Sequence, residues 1–100
     1  MTITINNKEI NLKKTFRSVI AYEQAMKTSF NPTTITETIM YFYCVIIASD
    51  TTLEITYDEF ISWLDDNPQT LQEFTQWLIK VNEVESTTTK KKTVRTAKKA

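Results

Sequence analysis

Residues Ile39 to Ala48 read IMYFYCVIIA, ten positions with no charge and no amide side chain. The polar atoms in this run are the hydroxyls of Tyr41 and Tyr43 and the thiol of Cys44. A surface helix shows a polar residue every third or fourth position, and none occurs here. At 1.5 Å per residue the run makes a helix about 15 Å long, roughly half of what crosses a bilayer. It therefore predicts a central helix enclosed by other elements of the same chain, or partly by a second copy.

The flanking residues supply its boundaries. Thr34 and Glu37 have capping-box spacing and start this helix, roughly Ile35 to Ala48. Upstream, Thr15 to Lys27 places Phe16, Val19, Ile20 and Met26 at helical spacing, with Tyr22 at the margin of that stripe. Pro32 disfavours helical backbone at Asn31 and separates the two helices. Downstream, Ser49 to Thr56 is a connector with room for a short extended piece at Leu53-Glu54-Ile55. A second capping box at Thr56 and Glu59 begins a helix through Asp66, with its stripe at Tyr57, Phe60, Ile61 and Leu64. Asn67 can cap the last helix and Pro68 suits its first position. Its apolar face is Leu71, Phe74, Leu78 and Val81, with Trp77 beside it.

At the N-terminus, Thr2 to Lys13 (TITINNKEINLK) alternates apolar and polar residues with the period of a half-buried strand. A turn at Asn7-Lys8 would pair Ile5 with Ile10 and Ile3 with Leu12, all four on one face. The chain contains no glycine, so each tight turn must use another residue. The expected fold is α+β: an N-terminal β-hairpin, then a bundle of about four α-helices. Residues 1–85 form one globular domain in this reading, and residues 86–100 a disordered basic tail.

Composition narrows the chemistry. Hydrophobic residues make up 41% of the 100 residues, enough for a core. There is no histidine, which removes the commonest general base and metal ligand. A single cysteine excludes an internal disulfide, and its place in the most apolar run marks it as buried packing. In residues 1–30, Lys8, Glu9, Lys13, Lys14 and Arg17 interrupt every apolar run, so no signal-peptide h-region is present and a cytoplasmic location is expected. Residues 1–85 hold twelve acids and six bases, a net charge of −6. Residues 86–100 hold Lys90, Lys91, Lys92, Arg95, Lys98 and Lys99 and no acid, a net charge of +6.

Two arrangements imitate functional sites. Asp50 to Phe60 resembles the end of a calcium loop closing on Glu59, but the count back places Ala48 and Thr52 at ligand positions and Leu53 at the glycine. Asp58-Glu59 and Asp65-Asp66 are paired acids, yet neither pair has a partner group to separate their pKa values. Helix-terminal placement is sufficient reason for both. No catalytic residue, cofactor or metal site is expected. Trp63 lies off the stripe of its helix and suits a protein-binding face, as does Trp77; the alternative is that both complete a small core from two sides. Tyr41 and Tyr43 of the central helix complete the candidate binding residues. The basic tail offers phosphate contacts, a dock on an acidic protein surface, or a solubilising extension. The acidic domain and the lack of Tyr and Trp in the tail speak against sequence-specific nucleic-acid readout.

The hairpin TITINNKEINL followed by FRSVIAYEQ, YFYCVIIASD and ITYDEFISWLDDNPQTLQEFTQWL resembles the small tail assembly chaperones of tailed bacteriophages and prophages. The resemblance covers roughly residues 1–84 and is one of layout. The missing glycine in the hairpin turn departs from it. It implies a non-enzymatic chaperone that binds the long helical tape measure protein and keeps it soluble while the tail tube assembles. It also implies that a longer frameshifted product is possible, with Lys90-Lys91-Lys92 compatible with an A-rich slippery site. The alternatives left open are a nucleic-acid-associated accessory protein acting through the tail, and a structural homo-oligomer packed through the central helix. No membrane association is expected.

Overall fold

A computed structural model describes residues 1–81 of the chain. A two-stranded antiparallel hairpin, β1 (Thr2–Ile5) and β2 (Lys8–Asn11), is followed by α1 (Phe16–Met26), α2 (Ile35–Ser49), α3 (Tyr57–Asp66) and α4 (69–81). The expected domain end at residue 85 and the basic tail lie outside the described residues.

The hairpin turns at Asn6-Asn7, not at Asn7-Lys8. Both asparagines have positive φ, 54° and 62°, the requirement of a type I′ turn. Asparagine tolerates this conformation because its short amide bonds locally, whereas a lysine gains nothing there. The register is therefore Ile3 with Ile10 and Ile5 with Lys8, two residues from the expected pairing. A shift of two preserves the face, so Ile3, Ile5, Ile10 and Leu12 are all buried. The Leu12 N–H donates to the Met1 carbonyl at 2.8 Å and extends the ladder past the strand ends.

Helix α2 is the centre of the core. Tyr41, Phe42, Cys44, Val45 and Ile46 are buried in it. The Phe42 ring stacks on Phe74 of α4, with centroids 4.2 Å apart and planes within 6°, and meets Phe60 of α3 edge-on at 5.2 Å. One residue thus joins three helices. Isoleucines of the hairpin complete the same cluster.

Threonine caps open α1, α2 and α3. Thr34 accepts from the Glu37 N–H at 3.2 Å, and the Glu37 carboxylate accepts from the Thr34 N–H at 3.0 Å. Thr56 and Glu59 repeat this at 3.1 and 2.8 Å. In α1, Ser18 takes the place of the acid: Thr15 accepts from the Ser18 N–H at 3.1 Å, and the Ser18 hydroxyl donates to the Thr15 carbonyl at 2.6 Å. These bonds allow Ser18 to be buried.

The face of α1 differs from the expected one. Ser18 and Tyr22 are buried and Ala21 packs against the core, while Phe16 is 89% exposed and Ile20 53% exposed. Small Ser18 and Ala21 let α1 approach its neighbour closely, with the Tyr22 ring inserted edge-on against Tyr41 (6.1 Å) and Phe30 (5.3 Å). Lys27 ends α1 in the left-handed region, and its N–H donates to the Glu23 carbonyl.

The connector after α2 contains no strand at Leu53-Glu54-Ile55. Asp50 instead organises a turn, accepting at Oδ1 from the Thr52 N–H (3.0 Å) and hydroxyl (2.6 Å). At the α3–α4 junction, the Asn67 carbonyl accepts from the Thr70 N–H at 3.0 Å and that of Pro68 from the Leu71 N–H at 3.3 Å. The Asn67 side chain turns the other way and donates to the Trp63 carbonyl at 2.9 Å, closing α3.

Candidate functional site

The candidate binding aromatics occupy different depths. Tyr41 is 1% exposed and lies among Tyr22, Phe30 and Phe74. It offers no surface to a partner in this fold, because α1 and the loop after it cover the ring. Tyr43 is half-buried, and its hydroxyl donates to the Ile55 carbonyl at 2.7 Å, so it fastens the connector to α2. Trp63 and Trp77 are half-buried at the rim: Trp63 lies over Phe60 at 6.0 Å, and Trp77 beside Phe74 at 5.8 Å. Each indole therefore packs against the core with part of its surface open. Lys90, Lys91, Lys92, Arg95, Lys98 and Lys99 lie outside the described residues.

The large apolar side chains facing solvent are Phe16, Ile20, Ile35 (68% exposed) and Ile79 (54% exposed) among the described residues. Phe16 and Ile20 stand one turn apart on the outer side of α1. Sequence periodicity assigned them to the core. The inward row is instead Ser18, Ala21 and Tyr22, two small residues beside one ring, and the Thr15/Ser18 cap supplies the hydrogen bonds that Ser18 needs there.

A second apolar feature is an open groove of about 450 Å³ between the N-terminal end of α2 and the start of α4. Thr33, Thr34, Ile35 and Thr38 form one wall, and Leu71 and Thr75 the other. The hydroxyl protons of Thr38 and Thr75 are donated to the Thr34 and Leu71 carbonyls at 2.9 and 3.0 Å. With these hydroxyl protons already engaged, the groove combines the apolar side chains of Ile35, Pro68 and Leu71 with polar groups of its threonines and Gln72.

The acids that imitate a calcium loop are engaged elsewhere. Asp50 pairs with the Lys8 ammonium at 2.9 Å, and Lys8 also hydrogen-bonds Thr52. The hydrogen bonds from Thr52 and Lys8 hold the Asp50 carboxyl down to about 2. Glu37 is lowered as well, chiefly by the backbone N–H groups of Thr33 and Thr34. Glu59 closes its capping box. Among the described residues no group of three or more His, Cys, Asp or Glu is gathered to hold a metal ion. Asp58 is exposed in the first turn of α3, where the helix dipole favours it. Asp65 and Asp66 are the last two residues of α3 as well as the approach to α4, so the dipole of α3 opposes them and water screens them.

Burial raises the Cys44 thiol to about 11, which keeps it protonated and unreactive at neutral pH. Burial also raises Tyr22, Tyr43 and Tyr57. No helix among the described residues is long and apolar enough to cross a membrane. In comparisons with protein-family models, curated proteins and solved structures, the chain matches none.

Proposed function

We propose that this chain is a non-enzymatic tail assembly chaperone of a tailed phage or prophage, which holds a long helical tape measure protein in soluble form. The observation that carries the reading is the set of large apolar side chains facing solvent on a small, well-capped helical domain: Phe16, Ile20, Ile35 and Ile79. A domain of this size does not gain stability from leaving a phenylalanine in water, and Phe16 with Ile20 one turn away on α1 form an exposed apolar row of the kind that marks interaction sites. The groove between α2 and α4 and the rim of Trp63 and Trp77 add places where apolar side chains of an amphipathic helix fit. The resemblance in layout supplies the identity of the partner and the host-cell cytoplasm as its location.

The test is co-expression with the long helical protein encoded nearby, using the full chain and a 1–85 truncation side by side. The expected result is a partner that precipitates alone, is soluble with either form, and co-purifies with both. Trp63→Ala should weaken the recovery. Nucleic acid recovered by the full chain alone, and released at high salt, would instead assign the function to the basic tail and end the chaperone reading.

A further inference from the structure

The outer side of α1 joins two properties found together there. Phe16 and Ile20 form an exposed apolar row, and Arg17 is exposed beside it. Lys13 precedes the helix and Lys27 ends it, both exposed. Glu23, the acid of this helix, turns its carboxylate to the Phe30 N–H at 2.8 Å and so faces the loop. The surroundings have the opposite sign. Residues 1–81 hold ten acids and six bases, a net charge of −4, and the exposed side of α3 carries Asp58, Glu59, Asp65 and Asp66. The α1 face is thus a basic-rimmed apolar island on an acidic domain.

We propose that this face docks a partner helix whose apolar stripe is flanked by Glu or Asp. The proposal rests on the chaperone reading and describes that partner chemically. A stripe of leucines covers Phe16 and Ile20, while flanking carboxylates meet Arg17, Lys13 and Lys27. The net charge of −4 on residues 1–81 disfavours an acidic helix on the acidic side of the domain, so charge biases where it lands as well as how fast. A helix flanked by Lys meets three exposed cations and, of opposite sign, Glu23, whose carboxylate is engaged by the Phe30 N–H.

Fluorescence anisotropy with the full-length chain tests this, using two labelled helical peptides that share one leucine stripe and differ only in Glu or Lys flanks. The Glu-flanked peptide should bind roughly tenfold or more tightly than the other. Phe16→Ser should abolish most of that binding, as expected for a central aromatic anchor. Since Phe16 makes little contact in the free protein, an unchanged circular dichroism spectrum and melting point verify that the variant folds. The Lys13→Glu, Arg17→Glu pair should reverse the preference. Equal binding of both peptides, or Glu-peptide binding untouched by Phe16→Ser, overturns the proposal; the second outcome means that the basic C-terminal stretch took the peptide. The two readings separate cleanly. If Phe16→Ser and Arg17→Glu keep the co-expressed partner as soluble as the parent chain does, the docking face falls and the chaperone stands. If no long helical partner is retained but the Glu-flanked peptide binds through Phe16, the reverse holds.

Discussion

The hydroxyl of Tyr22 lies inside the core with no hydrogen-bond partner among the described residues, whereas that of Tyr43 donates to the Ile55 carbonyl at 2.7 Å. Leaving a buried hydroxyl unpaired costs its desolvation, and a made hydrogen bond contributes about 1 kcal/mol net. Tyr22→Phe should therefore leave stability unchanged or raise it by up to about 1 kcal/mol, while Tyr43→Phe should lower it by about that amount. Urea melts of the two variants decide the point, and equal losses in both would contradict the assignment. Tyr22 also explains the largest misreading of the sequence. Phe16, Val19, Ile20 and Met26 make the longer apolar stripe, but a stripe counts hydrophobicity and ignores shape. Burying Tyr22 edge-on between Tyr41 and Phe30 removes more apolar area than burying Ile20 would, and it needs small residues beside it. Ser18 and Ala21 meet that need; no periodicity count could see it.

Among the elements, those whose boundaries are set by local hydrogen bonds were legible in advance. Thr34 with Glu37, and Thr56 with Glu59, start α2 and α3 where their spacing predicts. Thr56→Ala should cost about 1 kcal/mol of stability and Thr56→Ser much less, measured by chemical unfolding. A loss confined to helix content without a change in the midpoint would show instead that α3 frays independently of the core. The hairpin was legible in its face and not in its register, because a slip of two residues exposes no isoleucine. What fixes it is the adjacent pair Asn6-Asn7, both able to take positive φ, and with glycine absent that pair is the stronger turn signal. For the candidate site, Trp63 and Trp77 at the rim follow from their offset from the stripes. Tyr41 does not, since a helix apolar all round gives no indication of which ring its neighbours will cover.

At the scale of the whole molecule, the hairpin and the helices are tied by contacts that no local pattern encodes. Lys8 of β2 reaches Asp50 and Thr52 after α2, and the Lys13 N–H donates to Ser49 at 2.9 Å. The Asp50 carboxyl is held at about 2, below its ordinary 3.8, by Thr52 and then Lys8. Between those two values the unfolded chain binds a proton that the folded one does not, so stability increases with pH through this window. The contribution is complete above about pH 4 and is lost as pH falls toward 2. Asp50→Asn should therefore be less stable than the parent at neutral pH and lose less between pH 4 and 2, read as urea midpoints across that range. Glu37 is also lowered and acts in the same direction, through its bonds to Thr33 and Thr34. The acid slope remaining in Asp50→Asn should shrink further on adding Glu37→Gln. An acid limb identical in the parent and Asp50→Asn would mean that the Lys8–Asp50 tie carries no weight, and that the hairpin is held to α2 by its four apolar side chains and the Lys13–Ser49 hydrogen bond.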